Sequence, residues 1–235
     1  MSRTSRNMLL LLTGVSAGLI VINGSYTRYV KPGMFGWLIA AAVVLILIAL
    51  APGGSGSTSD CDDHRHSTTV VWLLVIPIAL LLYVSPPPLG ALAAEPAAIQ
   101  VTEPDLHRAY PTLPDEPAPT LTIIEVIERM RWDTGHTLDG RTISVIGFSL
   151  EDKGIHFVGR FHIICCAADA RVLGLRLLGP LAAQAAGFPR DAWLRIEGKP
   201  IPGADPPTKA TGPALMVTAI TPVEPPTDPY MYSAP

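Results

Sequence analysis

Three stretches of the chain are apolar without interruption by charge, and a later stretch alternates. Met8 to Ile22 (MLLLLTGVSAGLIVI), Gly33 to Leu50 (GMFGWLIAAAVVLILIAL) and Val70 to Val84 (VVWLLVIPIALLLYV) form the first set. Each approaches the length a helix needs to cross a bilayer, with flanking residues completing the shorter ones. Trp37, Trp72 and Tyr83 sit near their ends, where interfacial aromatics collect. The competing reading of these runs is three buried helices of a soluble core. Their freedom from charge favours spans. The first run, preceded by Arg3 and Arg6, also resembles a signal peptide. No small-x-small cleavage site follows it, so the expectation is an uncleaved span. Gly14 and Gly18 lie inside it and read as a close helix-packing face rather than a hydrolase elbow. Pro77, in the middle of the third run, predicts a kink covered by a neighbouring helix.

From Leu138 onward the period changes from helical to two. RTISVIGFSL, IHFVGRFHIICC, RVLGLRLLG, AWLRIEGKPI and ALMVTAITPV read as five strands, and PLAAQAAGF as one or two helical turns between the third and fourth. Upstream, Thr120 or Thr122 caps a short amphipathic helix carrying Ile123, Ile124, Val126, Ile127 and Met130, which is expected to pack on its own domain. The fold expected is an α-helical membrane anchor of three spans plus a small all-β, OB-like barrel with one or two short helices. An irregular β-sandwich is the alternative. Gly147, inside a strand, predicts a bend or bulge.

Proline placement sets the boundaries. Of 24 prolines, nine fall between Pro86 and Pro119 and ten between Pro200 and Pro235. The expected organisation is an anchor over 1–84, a stiff Pro-rich stalk over 85–118, the β domain over 119–223 and a disordered Pro-rich tail over 224–235. Arg3, Arg6 and Arg65 fall on one side of the predicted membrane and Arg28 and Lys31 on the other. That small excess places the N-terminus inside and the β domain outside the cytoplasm.

Charge then excludes one function for the barrel. The whole chain carries 17 basic and 20 acidic residues, a net charge of −3. A basic stripe with interleaved aromatics, of the kind that tracks and stacks single strands, is missing from the sequence of the β domain, so no nucleic-acid partner is expected. No phosphate-binding loop, zinc-protease motif or dinucleotide fingerprint is present either, and the chain is read as a non-enzyme.

The most unusual string is Arg160 to Ala170, RFHIICCAADA. Adjacent cysteines in a regular strand point to opposite faces and cannot share an ion. If the chain turns after the strand, Cys165, Cys166 and Asp169 converge, giving two thiolates and one carboxylate. That donor set suits zinc or another soft metal ion. His162 shares a strand face with Ile164 and is not expected to join. Two other readings stay open: a vicinal disulfide with redox activity, and simple burial of small apolar side chains. A weaker metal candidate is the polar loop between the second and third apolar runs, with Cys61, His64 and His66. With three cysteines in all, no disulfide framework can close.

The RFHIICCAADA string, the preceding DGRTISVIGF strand, the N-terminal anchor and the Pro-rich stalk after Tyr83 together resemble the YcgQ-like family of permease subunits. The match is strongest over Leu138 to Ala170 and fades after Val223. The resemblance implies an accessory subunit that works beside a multi-span permease, in metal-ion and particularly zinc homeostasis. The three predicted spans make the expected protein a multi-pass one of the cell membrane, in contact with the lipid bilayer. A membrane-tethered thiol redox protein using Cys165 and Cys166 is the alternative from another class.

Overall fold

The computed structural model describes residues 3–51, 89, 110–189, 191–203 and 212–232. They belong to two compact units, Met1–Pro88 and Leu89–Pro235.

In the first unit, helix α1 (Arg3–Ile22) and helix α2 (Phe35–Leu50) are joined by a short connection with turns at Ser25–Arg28 and Pro32–Met34. The two helices pack together at Gly14. A Cβ there would lie 2.9 Å from Ile46 Cγ1 and 3.0 Å from the Ala42 carbonyl oxygen, so hydrogen is what permits the approach. Gly18 has nothing within 4 Å. The predicted Gly14–Gly18 packing face is therefore a contact at Gly14 alone. Apolar side chains point outward from both helices, among them Met8, Leu19, Trp37, Leu47 and Leu50. Water does not favour such a surface, and lipid does. Among the described residues one helix, Pro32–Leu50, is long and apolar enough to cross a membrane; Arg6–Ile22 is a shorter apolar helix. The third predicted span, Val70 to Val84, lies outside the described residues.

Among the described residues the second unit holds a seven-stranded mixed sheet and one α-helix, α3 (Ile123–Trp132). Thr122 caps α3, its hydroxyl accepting the Glu125 N–H at 3.2 Å. Ile123, Val126 and Ile127 are buried at helical spacing. Arg129 is also buried. Its guanidinium is satisfied by Glu125 (2.8 Å), the Pro111 carbonyl (2.9 Å) and the Thr137 hydroxyl (2.7 Å), as a buried charge requires.

The strands are β1 (Thr120–Leu121), β2 (Ile143–Asp152), β3 (Ile155–Ile163), β4 (Arg171–Leu178), β5 (Trp193–Ile201), β6 (Ala214–Pro222) and β7 (Tyr230–Tyr232). Their order is β1-β2-β5-β6-β4-β3-β7, and β2 also pairs with β3. That extra pairing joins five strands, β2 to β6, into a ring in which each has two neighbours. Four of the five ladders are antiparallel; β4–β6 is parallel. Lys153 and Gly154, both at positive φ, form the two-residue turn from β2 to β3, the turn type whose twist suits a hairpin.

Closure depends on β2 changing partners. Phe148 is paired with both Gly159 of β3 and Trp193 of β5. At the preceding residue, a Cβ on Gly147 would stand 2.4 Å from the Gly159 carbonyl oxygen. The bend expected at Gly147 is thus where the sheet folds onto itself. The register shift of the sheet lies elsewhere, at Glu197/Gly198 opposite Met216 and Val217.

Alternation sorts the side chains into two cores. Val158, Leu173, Leu175 and Leu177 lie with Ile143, Val145, Ile196 and the α3 residues in the larger one. The opposite face carries Phe148, Phe161, Val172 and Tyr230. Tyr230 comes from the region expected to be a disordered tail. It is 2% exposed, and β7 pairs in parallel with Phe161–Ile163 of β3. Arg160 holds this strand, donating to the Pro229 and Asp228 carbonyls and lying over the Trp193 ring. The tail expectation is therefore corrected at Tyr230–Tyr232. The stalk boundary also moves: Leu113 is buried in the larger core, and Leu89 donates its N–H to the Tyr230 hydroxyl at 2.9 Å. Segments on both sides of the five strands are recruited, Leu113 to the larger core and Tyr230 to the opposite face, because each offers apolar surface to cover.

Candidate metal centre

Strand β3 ends at Ile163 and β4 starts at Arg171. Between them the chain makes a single 3-10 turn over Ala167–Asp169, and Cys166, in extended conformation, caps it. The pair of cysteines has thus left the strand, which removes the opposite-face constraint. Asp169 turns back over the chain. Its Oδ1 accepts the Ile164 N–H (2.8 Å), and its Oδ2 accepts the N–H groups of Cys165 (2.8 Å) and Cys166 (3.1 Å). Oδ2 also accepts the Cys165 thiol at 2.8 Å. The Cys166 sulfur takes the Asp169 N–H in return, a reciprocal capping box. The two sulfurs are 3.8 Å apart and both cysteines are free thiols.

These contacts set the charges. Burial alone would raise the Asp169 pKa, but the Cys165 thiol and three backbone N–H groups outweigh it and hold the carboxyl at about 2. The same hydrogen bond to Asp169, with a smaller contribution from Cys166, pushes the Cys165 thiol up to about 11. In the metal-free protein Cys165 is a protonated thiol at neutral pH. A thiol redox centre works through the thiolate, so this arrangement does not activate Cys165 as a nucleophile.

The donor geometry can be compared with that of an ion. A tetrahedral Zn²⁺ with bonds of about 2.3 Å to sulfur separates two thiolates by about 3.8 Å. The observed sulfur separation, 3.8 Å, already matches it. Sulfur and carboxylate oxygen on the same ion stand about 3.5 Å apart. The Cys165–Asp169 separation is 2.8 Å, because a proton and not an ion lies between them. An ion held by these residues would have to displace that proton, and the pair would open by about 0.7 Å, the difference between those two separations. The three ligand atoms all lie within 4.8 Å of one another. Cys165, Cys166 and Asp169, predicted to converge, do converge. His162 is not one of the group. Cys61, His64 and His66 lie outside the described residues.

What sequence reasoning misses is the role of the backbone. In the sequence Asp169 reads as a metal donor; in the structure it is first the acceptor that shapes the turn. The Cys166-x-x-Asp169 spacing, a capping-box spacing with cysteine as the cap, is the available signal.

Residues 122–233 match the model of the DUF1980 C-terminal domain family. The chain is also similar to the UPF0703 protein YcgQ of Bacillus subtilis (strain 168), with 35% identity over 97 residues. That match spans 40% of this chain and 33% of the relative's length. The two matches together support a YcgQ-like family assignment.

Proposed function

We propose that this chain is a non-enzymatic accessory subunit of a multi-span membrane permease, acting in the transport or homeostasis of zinc or a comparable soft metal ion. Three apolar spans anchor it in the cell membrane and contact the permease. The β domain stands outside the cytoplasm and binds the ion through Cys165, Cys166 and Asp169. The observation that carries this reading is the 3.8 Å separation of two free thiols. It matches a tetrahedral ion, and one carboxylate shares the site.

Two further features support the architecture. The ring of β2 to β6, with one parallel ladder and a helical turn between its third and fourth strands, supports reading the domain as an OB-like barrel. The excess of basic residues on the N-terminal side favours an external C-terminal domain. The thiol-redox alternative draws no support from a Cys165 held in its protonated form by Asp169.

The test is metal content of the full chain purified in detergent and dialysed against Zn²⁺. One equivalent bound by the native chain, and lost from Cys165→Ser and from Cys166→Ser with Cys61→Ser unaffected, is the expected result. Equal metal in all four proteins would refute the assignment. A reporter that folds only in the cytoplasm, fused after Pro235, should be inactive; activity would reverse the topology.

A further inference from the structure

We propose that the Cys165–Cys166–Asp169 centre is a transit site, which holds a tetrahedral divalent cation of the zinc type reversibly and surrenders it to an acceptor supplying its own thiolate or imidazole. This rests on the metal reading above and adds what the site does with the ion.

Three observations lead to it. First, every donor lies within one β3–β4 connection, so an ion there ties no distant segments together. The connection is closed without an ion, by the four hydrogen bonds Asp169 accepts and the one its N–H gives to Cys166. Structural zinc differs, because its binding free energy is the folding free energy of the domain. Here the turn has its own hydrogen bonds, so on this proposal it persists when the ion leaves.

Second, the sulfur separation selects the ion. Two thiolates on a linear monovalent copper ion stand opposite each other, about 4.6 Å apart at sulfur bonds of about 2.3 Å. Adjacent cysteines held at 3.8 Å by a capped turn suit a tetrahedral angle instead.

Third, the centre is open on one side. Cys165 is exposed, Ile164 beside it is 58% exposed, and Cys166 and Asp169 are half-buried. Three donors leave one tetrahedral position, and among the described residues no fourth His, Cys, Asp or Glu joins the group. An acceptor can bond to the ion there before the Cys165 bond breaks. The ion keeps its charge throughout. As it leaves, both sulfurs take up protons from water, and the proton on Cys165 restores the hydrogen bond to Asp169.

The experiment uses the full chain in detergent, with Cys61→Ser, His64→Ala and His66→Ala removing the other candidate donors. The chain is loaded with Zn²⁺ and mixed rapidly with a chromogenic pyridylazo chelator as acceptor. The release rate should rise about tenfold for a tenfold rise in chelator, as direct attack on an open site requires. The chelator-treated chain should keep its circular dichroism spectrum and a cooperative melting transition. A release rate independent of chelator concentration, or loss of cooperative melting on metal removal, would overturn the transit role while leaving metal binding standing. A chain that takes up no Zn²⁺ would instead refute the metal reading, and the transit role with it.

Discussion

The Sγ of Cys165 donates its proton to Oδ2 of Asp169 across 2.8 Å, and the same oxygen accepts the Cys165 backbone N–H, also at 2.8 Å. One carboxylate oxygen therefore fixes both where Cys165 sits and whether it is charged. Shape and reactivity of the centre are coupled through a single side chain.

That coupling predicts the reactivity of the thiol. With its pKa pushed up to about 11, Cys165 in the metal-free chain should alkylate slowly at neutral pH, and its rate should climb with pH towards that value. Asp169→Ala removes the raising contact and returns the thiol towards 9.0. Thiolate content then gains about a hundredfold while the weaker nucleophile gives back about tenfold, so alkylation by iodoacetamide should speed up about tenfold. Mass spectrometry of quenched samples reads the site directly. An unchanged rate would show that Asp169 does not control the thiol.

Asp133 supplies a pH dependence of stability. Its burial would raise the pKa, but the Thr137 hydroxyl, the Thr137 and Gly135 N–H groups and the Tyr110 N–H outweigh it and lower the value from 3.8 to about 2. A depressed carboxyl contributes stability that is present above 3.8 and is lost as pH falls from there through about 2. Asp169 acts in the same window and direction. Urea midpoints should fall steeply as pH is lowered from about 5 to about 2, a range that brackets both ends of the shift. Asp133→Asn should flatten the slope. Parallel slopes for the two proteins would contradict this account.

The C-terminal strand is integral to the domain. Tyr230 is 2% exposed, packs edge-on against Phe161 with ring centroids 6.5 Å apart, and accepts the Leu89 N–H. Tyr230→Ala should cost about 3–5 kcal/mol, the range for deleting a buried aromatic. Tyr230→Phe, which keeps the ring and loses the hydroxyl, should cost about 1 kcal/mol. Denaturant titration separates the two. Similar small losses for both would mean that β7 is not part of the core.

Gly147 tests ring closure. A side chain there meets the Gly159 carbonyl oxygen at 2.4 Å and Val158 Cγ2 at 2.9 Å. Backbone on the far side cannot swing away as a long side chain can. Gly147→Val should destabilise the chain by about 3 kcal/mol or more, through overpacking. The same substitution at Gly187, which has nothing within 4 Å, should cost far less. Equal melting temperatures for the two variants would remove Gly147 from the closure.

Local features were legible from residue patterns. The expected strands agree with β2 to β6 to within three residues at either end, because period-two alternation survives wherever one face is buried. Thr122 as the α3 cap, the turn at 182–187 and the Cys165–Cys166–Asp169 cluster are likewise short-range properties, written within a few positions of one another. Tertiary structure decided the rest. Pairing of β2 with β3 and β5 on either side of Gly147, the parallel β4–β6 ladder and the bulge at Gly198 depend on partners far along the chain. Tyr230 and Leu113 lie in Pro-rich sequence whose composition suggests an extended chain, and both are buried because the strands they cover expose apolar faces. Composition reports what a segment can do alone. Whether it docks depends on the apolar surface waiting for it, and that surface exists only once the ring has closed.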